Sequence, residues 1–256
     1  MPKSIFDNTK TAFKLKSDSE LERAYFLFKM ISKEPLVRIG TAATKFALNL
    51  NLPVEGLIRS TVFDHFCGGV NEKDCMPVVQ GLSEAGVFSV LDYSVEGKEE
   101  DAQFEATTKK VIELTAFAKE KNSMPFSVFK PTGLGRFNIW KSVTSKESLT
   151  KSQEKEWQDI MNRYHSICST ASKYDVSLLI DAEEYAMQGA ADQLCEQMMQ
   201  EYNTEKAIVF NTLQCYRWDR LDYLKQQHAT AREKGYKLGF KAVSDTHLTL
   251  PTIYSV

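Results

Sequence analysis

The stretch LLIDAEE, residues 178–184, runs strand-forming apolar residues straight into carboxylates. A buried strand that stops at an acid places a fixed charge where the backbone leaves the core. Such a charge can hold a cation, take a proton or orient a second side chain. Polar residues follow other apolar runs in the same way: Asp92 and Glu96 after 87–94, Lys130 after 125–130, Asn211, Thr212 and Gln214 along 207–214, and Lys241 within 236–243. Each charge taken singly is explained by solvent at a strand end, and only the recurrence in every unit points to chemistry. Side chains alternate along a strand, so Leu179, Asp181 and Glu183 share one face and Ile180, Ala182 and Glu184 the other. Asp181 directly follows the apolar run and is the candidate for an inner mouth, with Glu184 solvated or bonded to a helix start. Lys130 ends the neighbouring run and can pair with Asp181. A lysine beside an aspartate keeps its charge, which suits anchoring an anionic substrate better than forming a Schiff base. Cys215, next to Gln214, reads as a packed, inert thiol.

These residues need elements that hold them at one level. Five short apolar runs, 87–94, 125–130, 176–181, 207–214 and 236–243, are separated by helix-like segments such as EKEWQDIMNRYHSICSTASKY and ADQLCEQMMQEY. Strands alternating with long amphipathic helices predict βαβ units and a parallel sheet. No GxGxxG follows the first run, which favours a (β/α) barrel over a dinucleotide-binding sheet. In a barrel, chemistry sits at the strands' C-terminal ends. Ahead of these units, Leu21, Tyr25, Phe28, Leu36, Ile39, Phe46 and Leu50 recur at helical spacing. The Gly68-Gly69 pair breaks that pattern, Asn71 can cap a helix over 72–85 and Gly86 can end it. The expected organisation is an N-terminal helical arm over 1–86, a barrel portion over 87–243 and a tail over 244–256.

Composition narrows the function. With 256 residues, 43% hydrophobic, the chain is long enough for one large core or two small ones. Lys and Arg total 32 against 34 Asp and Glu, with no basic stripe, so nucleic acid is not an expected partner. The five cysteines form no CxxC pair and the four histidines no HExxH, which argues against a disulfide framework or a metal centre. The N-terminus has no h-region and no apolar window reaches spanning length. The expected location is cytoplasmic, or peripheral on the inner membrane.

The ordered set LDYSVEGK, FSVFKPTG, LLIDAEE, FNTLQCYRWDRL and GYKLGFKAV resembles the FAD-dependent proline dehydrogenases, particularly the single-function bacterial branch, from about Phe6 to Val243. Any one motif is weak, and their order makes the likeness specific. The resemblance implies a distorted (β/α)8 flavin barrel that oxidises L-proline to 1-pyrroline-5-carboxylate by hydride transfer to FAD and passes electrons to a membrane quinone. By the same resemblance, Lys130 helps hold the proline carboxylate and Asp181 belongs to the active site. Ala182 falls where backbone meets the flavin, Gln214 hydrogen-bonds the isoalloxazine, Lys241 lies near flavin N5, and Glu96 gates the substrate entrance. Two-electron reduction adds negative charge to the ring, which donors and cations such as Gln214 and Lys241 would stabilise.

After Val243 the chain reads SDTHLTLPTIYSV, which departs from the family pattern of an R-G-A-Y stretch, three more strand–helix units and a last helix with paired arginines. The expectation is a barrel of about five strands of eight, with open edges. Such a polypeptide is expected not to oxidise proline measurably by itself. Two other readings compete: an inactive fragment, or a different (β/α)-barrel enzyme such as a flavin reductase or a Schiff-base aldolase using Lys130. The ordered motifs argue against that different enzyme.

Overall fold

The computed structural model describes residues 7–50, 52–93 and 99–244. The chain divides into two compact units, Met1–Val87 and Phe88–Val256. The first is helical: α1 (Thr9–Ala12), α2 (Asp18–Ile31), α3 (Glu34–Asn49), α4 (Glu55–Ile58), a π-helical turn (Arg59–Phe63), α5 (Asp64–Phe66) and α6 (Glu72–Glu84). Its boundaries follow capping chemistry. Ser17 and Glu20 form a reciprocal capping box at α2, and the Asn71 side chain accepts from the N–H groups of Lys73 and Asp74 at α6. Gly86, at φ +79°, then carries the chain away in the left-handed region.

The second unit alternates strand and helix: α7 (Asp101–Ala118), β1 (Phe126–Phe129), a 3-10 turn (Pro131–Leu134), α8 (Phe137–Thr144), α9 (Lys151–Tyr174), β2 (Ser177–Ile180), α10 (Tyr185–Tyr202), β3 (Val209–Gln214), α11 (Arg220–Lys234) and β4 (Phe240–Val243). All strand pairs are parallel, in the sequential order β1-β2-β3-β4. Sequential order keeps the sheet winding in one direction, as a barrel wall does, whereas a doubly wound sheet reverses.

One sheet face carries the core. Phe129, Leu178, Ile180 and Val209 pack with Trp140, Ile160, Tyr164, Ile167, Leu194 and Met199 of the helices, all at 2% exposure or less. The Phe129 and Tyr164 rings meet edge to face at 5.0 Å. The alternate residues Phe126, Leu179 and Phe210 lie on the opposite, inner face and are half-buried. The Phe126 and Phe210 rings meet there edge-on, 6.1 Å apart.

Asn203, fully buried beyond α10, joins the starts of two strands. Its Oδ1 accepts from the N–H groups of Ile208 (2.9 Å) and Val209 (2.8 Å), and its Nδ2 donates to the carbonyls of Val209 (2.8 Å) and Lys237 (2.9 Å). Gly239 completes this seam: a Cβ there would stand 2.6 Å from the Val209 carbonyl oxygen and 2.9 Å from the Phe210 ring. Only glycine lets β4 come this close.

The expected α/β class and parallel sheet are present, with two corrections. Among the described residues the sheet has four strands, because the run expected at 87–94 forms no ladder over 87–93. The Ser89 N–H bonds the Ser123 carbonyl (2.9 Å), a residue ahead of β1, so the segment is tethered to the connection leading into β1 and does not run along it. The run 236–243 is a strand only from Phe240, because Asn203 and the Gly239 close approach hold its first half. Residue 94, Glu96 and residues 245–256 of the tail lie outside the described residues. Among the described residues no helix is long and apolar enough to cross a membrane.

Candidate active site

Strand register builds the site. Phe129 pairs with Ile180, Leu179 with Phe210, and Thr212 with Lys241. One step along the inner face, Lys130, Asp181, Thr212 and Lys241 therefore form a single row across the four strand ends. Strands stand roughly 5 Å apart, so Lys130 and Asp181 are neighbours, whereas Lys241 must reach past Thr212. Thr212 leaves room for this: it is small, and its hydroxyl donates to the Ile180 carbonyl at 2.7 Å.

Asp181 bridges both cations. Its Oδ2 accepts from Lys130 Nζ at 2.8 Å, and its Oδ1 is in close contact with Lys241 Nζ. The Asp181 N–H also donates to the Phe129 carbonyl (3.0 Å), which extends the β1–β2 ladder to the carboxylate itself. Two ammonium groups against one carboxylate leave the triad with a net positive charge. Asp92, 3.9 Å from Lys130 and more exposed, is a looser partner. Burial alone raises the Asp181 pKa, but hydrogen bonds and charge from Lys130 and Lys241 outweigh it and hold the carboxyl below its ordinary range. Burial alone lowers the Lys130 pKa. The Asp181 hydrogen bond and the charges of Asp181, Asp92 and Glu183 reverse that and carry it above its ordinary value.

One layer further out stands Gln214, 6% exposed. Its Nε2 donates to the Glu183 carbonyl (2.9 Å) and its Oε1 accepts from Arg217 (3.1 Å). The Glu183 carboxylate takes both the N–H (2.8 Å) and the hydroxyl (2.6 Å) of Thr132, which fixes the 3-10 turn that directly follows Lys130. The connection after β2 thus holds the ends of β1 and β3 together. Behind this layer Asp192 of α10 accepts from Gln188 (2.8 Å), Asn211 (3.0 Å) and Arg220 (2.5 Å). Asp219 is held below the ordinary carboxylate range by its hydrogen bond to Arg220, with Arg217 adding to it against a burial effect of opposite sign.

The structure brings Lys130, Asp181, Gln214 and Lys241 to one end of one sheet face. Ala182 follows Asp181, half-buried, in the same connection. Glu184 is exposed at the start of α10 and makes no side-chain cap bond. Cys215 is exposed, not packed, because it is the first residue past β3 and its side chain leaves the sheet at the turn. Sequence reasoning passed over Arg217, Arg220, Asp192 and Thr132. The RWDR cluster directly after β3 was a signal for the arginines, and the i, i+4 spacing of Gln188 and Asp192 on an otherwise packed helix was one for the acid.

A sequentially wound parallel sheet with its polar residues at the strands' C-terminal ends defines a (β/α)-barrel protein of the enzyme type. The proline dehydrogenase family profile matches residues 75–244, more than half of the chain, and the chain belongs to that family. It is 29% identical over 194 residues to the carbapenem antibiotics biosynthesis protein CarD of Pectobacterium carotovorum subsp. carotovorum, a match covering 76% of this chain and 52% of the relative. It is 26% identical over 275 residues to the mitochondrial proline dehydrogenase 1 of Arabidopsis thaliana, covering 90% of this chain and 55% of the relative. The chain therefore spans about half the length of these curated relatives. Among solved structures, proline utilization A of Bdellovibrio bacteriovorus inactivated by N-propargylglycine superposes with a TM-score of 0.60 at 16% identity, over 73% of this chain and 21% of that one. That likeness is one of fold: the four-strand sheet corresponds to part of a (β/α)8 barrel. The family match displaces the aldolase and flavin reductase alternatives.

Proposed function

We propose that this site binds FAD and L-proline and oxidises the substrate to 1-pyrroline-5-carboxylate, as one step of proline catabolism. The observation that carries the reading is the Asp181 carboxylate bridging Lys130 and Lys241 at the strand ends, inside the segment that matches the family. The residues fit a flavin and an amino acid. Lys130 and Lys241 are only partly buried and keep donors beyond the shared Asp181 for an anionic ligand, with Asp92 a looser, more exposed competitor, and the half-buried Phe126, Leu179 and Phe210 give the inner face an apolar surface for a ring system. Bound FAD would supply the two-electron acceptor for a ring hydride.

The remaining roles fall to the chain's own side chains. Lys130 holds the substrate carboxylate by a charge-assisted bond. Asp181 keeps both lysines extended along one row, so their charges are in position before a ligand arrives. Lys241 and Gln214 offer donors toward the flavin, where they stabilise the negative charge that two-electron reduction adds. Ala182 contributes backbone beside the cofactor, and Glu96 serves as the acid at the substrate entrance. We further assign the helices of 1–86 to an arm and 87–243 to the catalytic barrel, with a quinone at the inner membrane surface as electron acceptor and a cytoplasmic, peripherally attached location.

FAD binding by residues 1–256 and proline-dependent dye reduction by the same residues carried in a chain of the relatives' full length test the reading. Expected are flavin retention in the first, and dye reduction with L-proline that falls at least tenfold in Asp181→Ala in the second. Proline turnover unchanged in Asp181→Ala would overturn it.

A further inference from the structure

We infer that Arg217 is a positioning residue that locks the Gln214 amide so that it presents an N–H, and never its carbonyl, to a ligand at the strand ends. The amide sits between two groups of fixed hydrogen-bond sign. The Glu183 main-chain carbonyl can only accept, and it lies 2.9 Å from Nε2. The Arg217 guanidinium can only donate, and it lies 3.1 Å from Oε1. Turning the amide over would set oxygen against oxygen on one side and N–H against N–H on the other, at a buried position where unmatched polar groups are costly. Among the described residues the second hydrogen on Nε2 has no protein partner, so it is the group left for a ligand acceptor.

Arg217 is itself held in place. Its Nε and second terminal nitrogen form a fork on Asp219 (3.0 and 2.7 Å), and its guanidinium lies 4.6 Å from the Tyr185 ring centre. The side chain is 5% exposed. With two of its five N–H groups committed to Asp219 and its plane set against the Tyr185 ring, the guanidinium is oriented so that its other terminal nitrogen donates to Gln214. The chain thus commits the end of β3 to recognising an acceptor atom. On the flavin reading above, on which this inference rests, that acceptor belongs to the isoalloxazine, whose heteroatoms gain negative charge on reduction.

The test uses residues 1–256 with FAD as the probe, reading the dissociation constant by flavin fluorescence and the reduction potential of the bound flavin against dye standards. In Arg217→Leu the amide is free to turn. The dissociation constant is expected to rise about tenfold and the potential to fall, because the reduced ring loses a fixed donor. Arg217→Lys, which keeps one donor for Oε1, should recover most of both effects. Where Arg217→Leu does not fold, Arg217→Gln decides: a neutral amide that can donate or accept no longer dictates the Gln214 orientation, and the same fall in potential is expected. A purely structural Arg217 would lower the melting temperature and leave the bound flavin's potential unchanged, which overturns the inference. Gln214→Leu and Lys241→Met separate the two levels. If they weaken FAD binding while the Arg217 variants do not, only the lock is wrong; if none of them does, the flavin reading itself fails.

Discussion

Asp181 is the residue on which the mouth depends, because it is the shared counter-charge of two lysines from strands on either side. Removing its charge leaves Lys130 and Lys241 facing each other with no anion between them, so repulsion replaces attraction. Its folded-state pKa lies below the ordinary carboxylate value of about 3.9, so its stabilising contribution is present above that value and disappears as pH falls through the lower folded pKa. Lys130 has the opposite dependence. Its folded pKa is raised, so its contribution is complete below about 10.4 and is lost as pH climbs through the higher folded value. For Asp181→Asn we expect a loss of about 1–3 kcal/mol near neutral pH that shrinks toward zero in acid. Denaturant midpoints of the two proteins from about pH 3 to 8 check this, and parallel profiles would contradict the pairing. A positioned acid also predicts that the variant loses ligand affinity in the neutral range, where the intact triad is charged.

At the level of elements, the site holds its shape because its strands are joined at both ends. At the mouth Glu183 ties the turn after β1 to β2, and Gln214 ties β3 to the same connection. At the opposite end Asn203 makes four hydrogen bonds to the backbone leading into β3 and β4. Asn203→Ala would strand buried N–H and carbonyl groups and is expected to destabilise the second unit by about 2 kcal/mol or more. Hydrogen exchange should show faster opening at Ile208 and Val209, and unchanged protection there would show that other bonds hold this end. Gly239→Ala meets a backbone oxygen, which has no rotamer to escape into. The predicted result is a shift of β4 away from β3 at a cost of about 1–3 kcal/mol, with Lys241 carried out of reach of Asp181. Loss of the Asp181-dependent pH profile in Gly239→Ala would register that displacement.

The whole molecule consists of two compact units, and residues 87–93, between α6 and α7, form an irregular segment where they join. Phe88 is 59% exposed and Tyr93 43%, and neither belongs to a helix or strand. Exposed aromatics on irregular backbone can enter a protease cleft, whereas the exposed Tyr25 and Phe26 are held in helical geometry within α2. Brief chymotrypsin treatment is therefore expected to cut first at Phe88, at Tyr93 or at Trp218, which is 82% exposed in the turn between β3 and α11, with fragment masses identifying the bond. First cleavage inside α2 would instead mean that this helix opens more readily than the junction or that turn.

Short-range signals in the sequence were enough to establish the α/β class, the runs that became β1 to β4, and the polar residues at their ends. Alternation, capping residues and helical spacing all act within a few positions, and Ser17, Asn71 and Thr150 cap their helices by that local chemistry. The ordered motifs also carried the family. The sequence order already suggested that Lys130 could pair with Asp181, but tertiary structure decided that Lys241 reaches across β3 to join them. Lys130 and Lys241 lie 51 and 60 positions from Asp181, and their pairing depends on a strand register that no local pattern encodes. It also decided that 87–93 stays out of the sheet, that Cys215 turns to solvent, and that Arg217 rather than solvent meets Gln214. A strand carries its alternation in its own residues, but its level against its neighbours is set by the helices, the buried Asn203 and the Gly239 contact, which act only once the chain has closed on itself.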